Sequence, residues 1–246
     1  DGTLPDMHQV TRGLRHECQP VVASRWVHGP VTLEQTAFCI LPDDDAVVSG
    51  TERQLLVVRM SLENTGEQPV ETALLVMIGK AMGSQRTNYR PFVPVLKRWQ
   101  EETLAWQAED DALVAGDRLL LVHHADGAES ANFHSTLELF PNRQGGPKSY
   151  RNCLRFPVKL NAGETRAIDL IAAGTSALYP VAAREAMASL DYEATLRRAE
   201  DHWDRLLVPG MKLATPDART NTVYKAMILS SLQNLHKNPD HSWHEP

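Results

Sequence analysis

The sequence predicts a mainly β protein: an antiparallel β-sandwich followed by C-terminal α-helices. Three observations predict it. The first two thirds of the chain hold many short runs with apolar residues at alternate positions, divided by clusters of Gly, Asn, Asp and Pro. At Tyr179-Pro180 the apolar period changes from two to about 3.6. Thr215-Pro216-Asp217 then brings together residues that start helices.

Each element follows from its local pattern. Residues 26–38 alternate around Val27, Val31, Leu33 and Phe38. Residues 54–63 and 69–78 are two strands joined by Asn64-Thr65-Gly66-Glu67, which predicts an antiparallel hairpin. Residues 95–102 carry helical spacing through Val95, Trp99 and Glu102, although Leu104 and Trp106 alternate as a strand does. Residues 112–114 and 118–122 form a hairpin with Gly116 at its turn. Strands at 133–140, 153–159 and 165–172 complete the β part, with Leu160–Glu164 as a turn.

Beyond the strands, residues 181–189 are helix-like, and Asp191 caps a second helix with Leu196, Ala199, Trp203 and Leu206 on one stripe. Val208-Pro209-Gly210 ends it. In the third helix Thr215 is the expected cap and Pro216 the first helical residue, with Val223, Met227, Ser230 or Ser231, and Leu235 facing inward to about His236. The expected domains are a sandwich over 1–179, linker helices over 180–210, and the start of a helical unit over 211–246.

Composition excludes several classes. The chain has 246 residues, 42% hydrophobic and 23% charged, enough to build a real core and unlike a disordered chain. No apolar run approaches the roughly 20 residues of a membrane helix, so no membrane partner is expected. Twenty-five basic against thirty-one acidic residues give a net charge of −6, with no basic stripe, which argues against nucleic-acid binding. Cys18, Cys39 and Cys153 form no close pair; three buried thiols are expected rather than a disulfide framework. The odd cysteine count and the lack of a basic-then-apolar start tilt the expected location to the cytoplasm. The chain starts at Asp1 rather than Met, so either a leader has been removed or the chain is a piece of something longer.

Catalytic signatures are sparse. Walker-type phosphate loops, GxGxxG, GxSxG and HExxH do not occur, and no cofactor is expected. His123, His124, Asp126 and His134 flank a turn and could face one another as zinc ligands. Strand alternation would instead send neighbouring histidines to opposite faces, and the expectation is no metal. Trp203 lies on an apolar stripe and belongs to packing, whereas Trp243 lies among Asp240, His244 and Glu245, where an indole offers a sugar both an apolar face and a donor. Asp43-Asp44-Asp45 and Glu109-Asp110-Asp111 are expected as solvated turns rather than as the paired carboxylates of glycoside hydrolysis.

Residues 156–164 (FPVKLNAGE) and Ile168-Asp169-Leu170-Ile171 precede a helix with His202-Trp203-Asp204-Arg205-Leu206-Leu207. After it come residues 209–217 (PGMKLATPD) and 221–226 (NTVYKA). This order resembles the junction in six-hairpin glycosidases, bacterial enzymes in which a β-supersandwich precedes an (α/α)6 barrel, including rhamnosidase-like and glycogen-debranching-like members. The likeness covers roughly residues 150–240, and residues 20–80 only in general style; its motifs are structural. It implies the sandwich and first barrel helix of a carbohydrate-active glycoside hydrolase, truncated before the barrel loops that supply the acid and base. It therefore carries over no catalytic residue and implies no turnover by this chain alone. Loops between barrel helices line the sugar site in such enzymes, which makes Asp240, Trp243, His244 and Glu245 the expected substrate-binding residues. The implied partners are a carbohydrate and the rest of the barrel. Two competitors stand beside this reading: a glycan-binding sandwich without hydrolysis, and a structural or interaction domain whose last helix packs back on the sandwich.

Overall fold

The computed structural model describes residues 10–42, 54–77, 107–125, 127–135, 148–173, 179–208, 212–233, 236–237 and 243–244. In chain order the strands are β1 (Thr11–Leu14), β2 (Val22–His28), β3 (Val31–Ile40), β4 (Leu55–Asn64), β5 (Val70–Met77), β6 (Gln107–Ala108) and β7 (Ala112–Ala115). They continue with β8 (Arg118–His124), β9 (Glu129–Ser135), β10 (Lys148–Leu160), β11 (Thr165–Ala173), β12 (His236–Lys237) and β13 (Trp243–His244). The helices are α1 (Arg184–Ala188), α2 (Tyr192–Leu207) and α3 (Ala218–Gln233). As the sequence predicts, the protein is mainly β with its helices C-terminal.

Among the described residues the strands form a larger sheet in the order β1-β2-β3-β4-β11-β8-β7-β6 and a smaller one in the order β5-β10-β9, with β12-β13 as a separate ribbon. Every strand pair is antiparallel. The central strands of the larger sheet are buried on both faces, whereas β1 and β2 are largely exposed. Val31, Leu33, Met60, Leu62, Ile168 and Leu170 meet Leu74, Leu154, Phe156 and Val158 of the smaller sheet. On the opposite face Phe38, Ile40, Leu55, Val57 and Ile171 meet Met187, Tyr192, Leu196 and Ala199 of α1 and α2. Alternation places successive residues on these two cores. Each large side chain so buried contributes about 1.5–3 kcal/mol.

The expected continuous stretch over 26–38 is in fact a hairpin. His28 pairs with Val31 across a two-residue turn, and Gly29 adopts φ +57°. The hairpin expected at Gly116 forms between β7 and β8, with Gly116 at φ +63°. Leu113 pairs with Leu121 and Val114 with Leu119, which leaves Leu120 as the extra residue of a bulge. The bulge turns Leu119 and Val122 toward the helices and Leu121 toward the smaller sheet.

The expected pairing of residues 54–63 with 69–78 does not form. β4 joins the larger sheet and β5 the smaller. The physical reason is that β4 is already paired on both sides, with β3 and β11, so no ladder edge remains for β5. The connection is a corner between sheets, and the Leu160–Glu164 turn is the return corner beside it. Asn64, fully buried, ties the two together. Its Nδ2 donates to the carbonyls of Gln68 (2.8 Å), Leu160 (3.2 Å) and Asn161 (3.1 Å), and its Oδ1 accepts from the Gly66 amide at 3.0 Å. The Thr65 amide donates to the Pro30 carbonyl at 2.8 Å, which joins the β2–β3 turn to the same corner.

Asp191 caps α2 as expected, its carboxylate accepting from the Ala194 amide at 2.7 Å. The stripe is covered at Tyr192, Leu196 and Ala199, half-covered at Trp203, and open at Leu206. The cap of α3 is Asp217 rather than Thr215: its carboxylate accepts from the amides of Arg219 and Thr220, each at 3.1 Å. Thr215 serves the approach, with its amide donating to Asn221 Oδ1 at 2.9 Å and its carbonyl accepting from Asn221 Nδ2 at 2.9 Å. The face of α3 also differs from expectation. Val223 and Met227 are 51% and 65% exposed, whereas Leu229, on the other side, is 1% exposed. Helix α3 lies beside α2.

Candidate functional site

The expected sugar-facing residues follow α3. Trp243 and His244 form β13, which pairs with β12 in the register His236 with His244 and Lys237 with Trp243. A two-stranded ribbon thus pairs the backbone of Trp243 and His244 with that of His236 and Lys237, which follow α3 in the chain. Asp240 and Glu245 lie outside the described residues. So do Trp99, Trp106 and Asp43-Asp44-Asp45.

The metal-like histidines are not brought together by a hairpin. β8 belongs to the larger sheet and β9, which carries His134, to the smaller. His123 is buried between the sheets while His124 is exposed on the other face. Asp126 lies outside the described residues. Among the described residues no group of three or more His, Cys, Asp or Glu could hold a metal ion.

The structure assembles two ion clusters that sequence spacing does not reveal. Arg59 on β4 donates through Nε and Nη2 to the two oxygens of Asp169 on β11, at 2.7 and 2.8 Å. Its Nη1 reaches Glu193 of α2 at 2.6 Å, and the guanidinium carbon lies 3.6 Å from the ring centroid of Tyr192. The hydrogen bond to Asp169 raises the Arg59 pKa, so the guanidinium stays charged. In the second cluster Arg184 of α1 donates to both Glu109 and Asp111. The turn at 109–111 is exposed at Glu109 and Asp110, as expected, and it also docks α1. The Arg184 guanidinium holds the Asp111 carboxyl below the usual carboxylate range.

These geometries limit the chemistry. A general acid must hold a proton near neutral pH. Asp111, kept ionised by arginine, is unsuited to that role, and both oxygens of Asp169 are engaged by Arg59. The clusters fasten α1 and α2 to the larger sheet. A further tie joins the N-terminal turn to α2: Arg15 Nε lies 2.5 Å from Glu200, and Gln19 donates to Asp204 at 2.9 Å. Cys18 is buried and Cys39 is exposed, and neither is in a disulfide, so the expectation of buried thiols holds for Cys18 and not for Cys39.

His123 stands apart from His16, His28 and His124 in its surroundings. It is 1% exposed, and neither ring nitrogen makes a hydrogen bond of ordinary geometry. Its ring meets the Phe156 ring edge-on, with centroids 5.1 Å apart and planes at 84°. Burial pushes its pKa below the ordinary imidazole value, against smaller opposing effects of the Ala125 backbone and the Asp111 carboxylate.

No protein-family model matches this chain, and no curated protein matches it by sequence. Among solved structures it is similar to a protein described as a kojibiose phosphorylase from human microbiome, at 7% identity and a TM-score of 0.40, covering 88% of this chain and 27% of that one. It is also similar to a family GH92 α-mannosidase from Bacteroides thetaiotaomicron, at 8% identity and a TM-score of 0.33, covering 92% of this chain and 28% of that one. The same mannosidase in complex with mannoimidazole gives 8% identity and a TM-score of 0.32, with 92% and 27% covered. The chain spans about a quarter of the length of these proteins.

Proposed function

We propose that the chain is the non-catalytic sandwich and first barrel helix of a carbohydrate-active glycoside hydrolase of the six-hairpin kind. The observation that carries this reading is the outer face of α3. Val223 and Met227 stand exposed one turn apart, on a helix that follows a two-sheet sandwich and two linking helices. An apolar pair so placed gains by burial against further helices, about 1.5–3 kcal/mol for each side chain covered. The order of elements supports the junction that residues 156–226 resemble. In this reading the sandwich buttresses the barrel, and the further barrel helices cover Val223 and Met227.

The ribbon after α3 then belongs to the barrel's loop layer. Asp240, Trp243, His244 and Glu245 face the sugar there, with the indole against a pyranose face and the polar groups on its hydroxyls. The acid and base come from later loops. The exposed pair also speaks against a sandwich complete in itself with α3 folded back on it.

The test compares residues 1–246 with the same gene's longer reading frame. The short chain is expected to release no sugar from aryl glycosides, and the longer chain to do so. Val223→Lys is expected to leave the short chain's stability nearly unchanged and to destabilise the longer one. A reading frame that stops at Pro246, hydrolysis by residues 1–246, or a longer chain indifferent to the lysine would overturn the proposal.

A further inference from the structure

The imidazole of His123 is placed where a neutral ring fits and a charged one does not. Its backbone pairs with Leu170, a residue of the core between the sheets, and its ring lies against Phe156 of β10. Neither nitrogen makes a hydrogen bond of ordinary geometry, and the nearby Ala125 backbone favours the protonated ring only weakly against burial. The charged and titratable groups around it are few among the described residues. Asp111, which precedes β7, favours the protonated ring, while His124 on β8 and Arg184 on α1 disfavour it. Asp111 is already bound to Arg184, which also holds Glu109. β10 contributes the aromatic ring of Phe156 at the contact.

We infer that His123 is an acid trigger in the sandwich: a proton taken up by its ring separates β8 from β10 and opens the core between the sheets at that point. An unpaired charge in an apolar interior is strongly disfavoured, so the ring either stays neutral or reaches water by displacing Phe156. The sign follows from linkage. The unfolded chain binds the proton at the ordinary imidazole pKa of about 6.5, and the folded chain only below that. The stability associated with a neutral His123 is fully present above that value and is lost as pH falls below it. No group of the proposed sugar site takes part, so the inference stands apart from that reading.

The experiment uses the 246-residue chain, with His123→Leu and, as a neighbour on the other face, His124→Gln. Urea unfolding is followed from pH 8 to pH 5. Relative to His123→Leu, the unfolding constant of the wild type is expected to rise by up to about tenfold per pH unit below about 6.5; His124→Gln is expected to follow the wild type. Amide hydrogen exchange at pH 5, corrected for intrinsic rates, is expected to speed up first in β8 and β10 and to leave β3 unchanged. Should His123→Leu fail to fold, the ring-proton titration of His123 in the wild type decides: titration at or above about 6.5 in the folded protein overturns the inference. Parallel pH curves for wild type and His123→Leu overturn it as well, and so does uniform acceleration of exchange across both sheets.

Discussion

Asn64→Ala tests the corner that holds the two sheets in register. The carboxamide has two N–H hydrogens spread over three carbonyls, of Gln68, Leu160 and Asn161, and its oxygen takes the Gly66 amide. Deletion leaves four backbone groups to find new partners. Gln68 and Asn161 are exposed, and their carbonyls can turn to water. The Leu160 carbonyl and the Gly66 amide lie in the more protected part of the corner. The buried Leu160 carbonyl left unsatisfied costs about 1–3 kcal/mol and the part-buried Gly66 amide about 1 kcal/mol, so the expected loss is about 2–4 kcal/mol. Urea unfolding followed by circular dichroism reads this as a lower midpoint at unchanged slope. Asn64→Asp is the sharper variant: it keeps the acceptor for Gly66 and sets an anion against three carbonyl oxygens, so it is expected to be less stable than Asn64→Ala. A loss under about 0.5 kcal/mol in Asn64→Ala, the size of an ordinary surface change, would refute the clamp, as would an aspartate variant at least as stable as the alanine one.

Two other perturbations have clear signs. Arg59→Met leaves Asp169 half-buried without its bidentate partner and removes the guanidinium from Tyr192, for an expected loss of about 1–3 kcal/mol; Arg59→Met with Asp169→Leu should recover most of it in the same unfolding assay, and a double variant no better than the single would sink the argument. Asp191→Ala removes the acceptor of the Ala194 amide and is expected to cost about 1 kcal/mol, read as a lower thermal midpoint, with Asp191→Ser restoring most of it.

The sequence made the strands legible because burial of both faces and turn chemistry act locally. Gly116 and Asp191 took their expected roles because each role is settled within a few residues. Sheet membership was not legible. Asn64-Thr65-Gly66-Glu67 has turn residues whether the chain folds back in one sheet or crosses to another, and the choice depends on β11, about a hundred residues later, taking the free edge of β4. The same non-local choice separates β8 from β9, so the hairpin on which His123 or His124 could have faced His134 does not form. Arg59 and Asp169 met for a reason equally remote, the pairing of β4 with β11.

Helix α3 shows why its face was harder to assign than its existence. At about 100° per residue, Val223 and Met227 share one side, while Leu229 lies about 200° on from Met227. The sequence therefore offers two apolar faces, and burial of one cannot satisfy the other. Beside α2 the helix buries Leu229 and turns Val223 and Met227 outward. Were α3 a finishing helix of a sandwich, its outer face would be expected to be polar, as the outer face of α2 is at Glu193, Arg197 and Asp201. The contrast between these two neighbouring helices is that the apolar residues of α2 form one stripe while those of α3 fall on two sides. Helix α2 spends its apolar stripe on the sheet at Tyr192, Leu196 and Ala199, whereas α3 buries Leu229 and leaves Val223 and Met227 exposed.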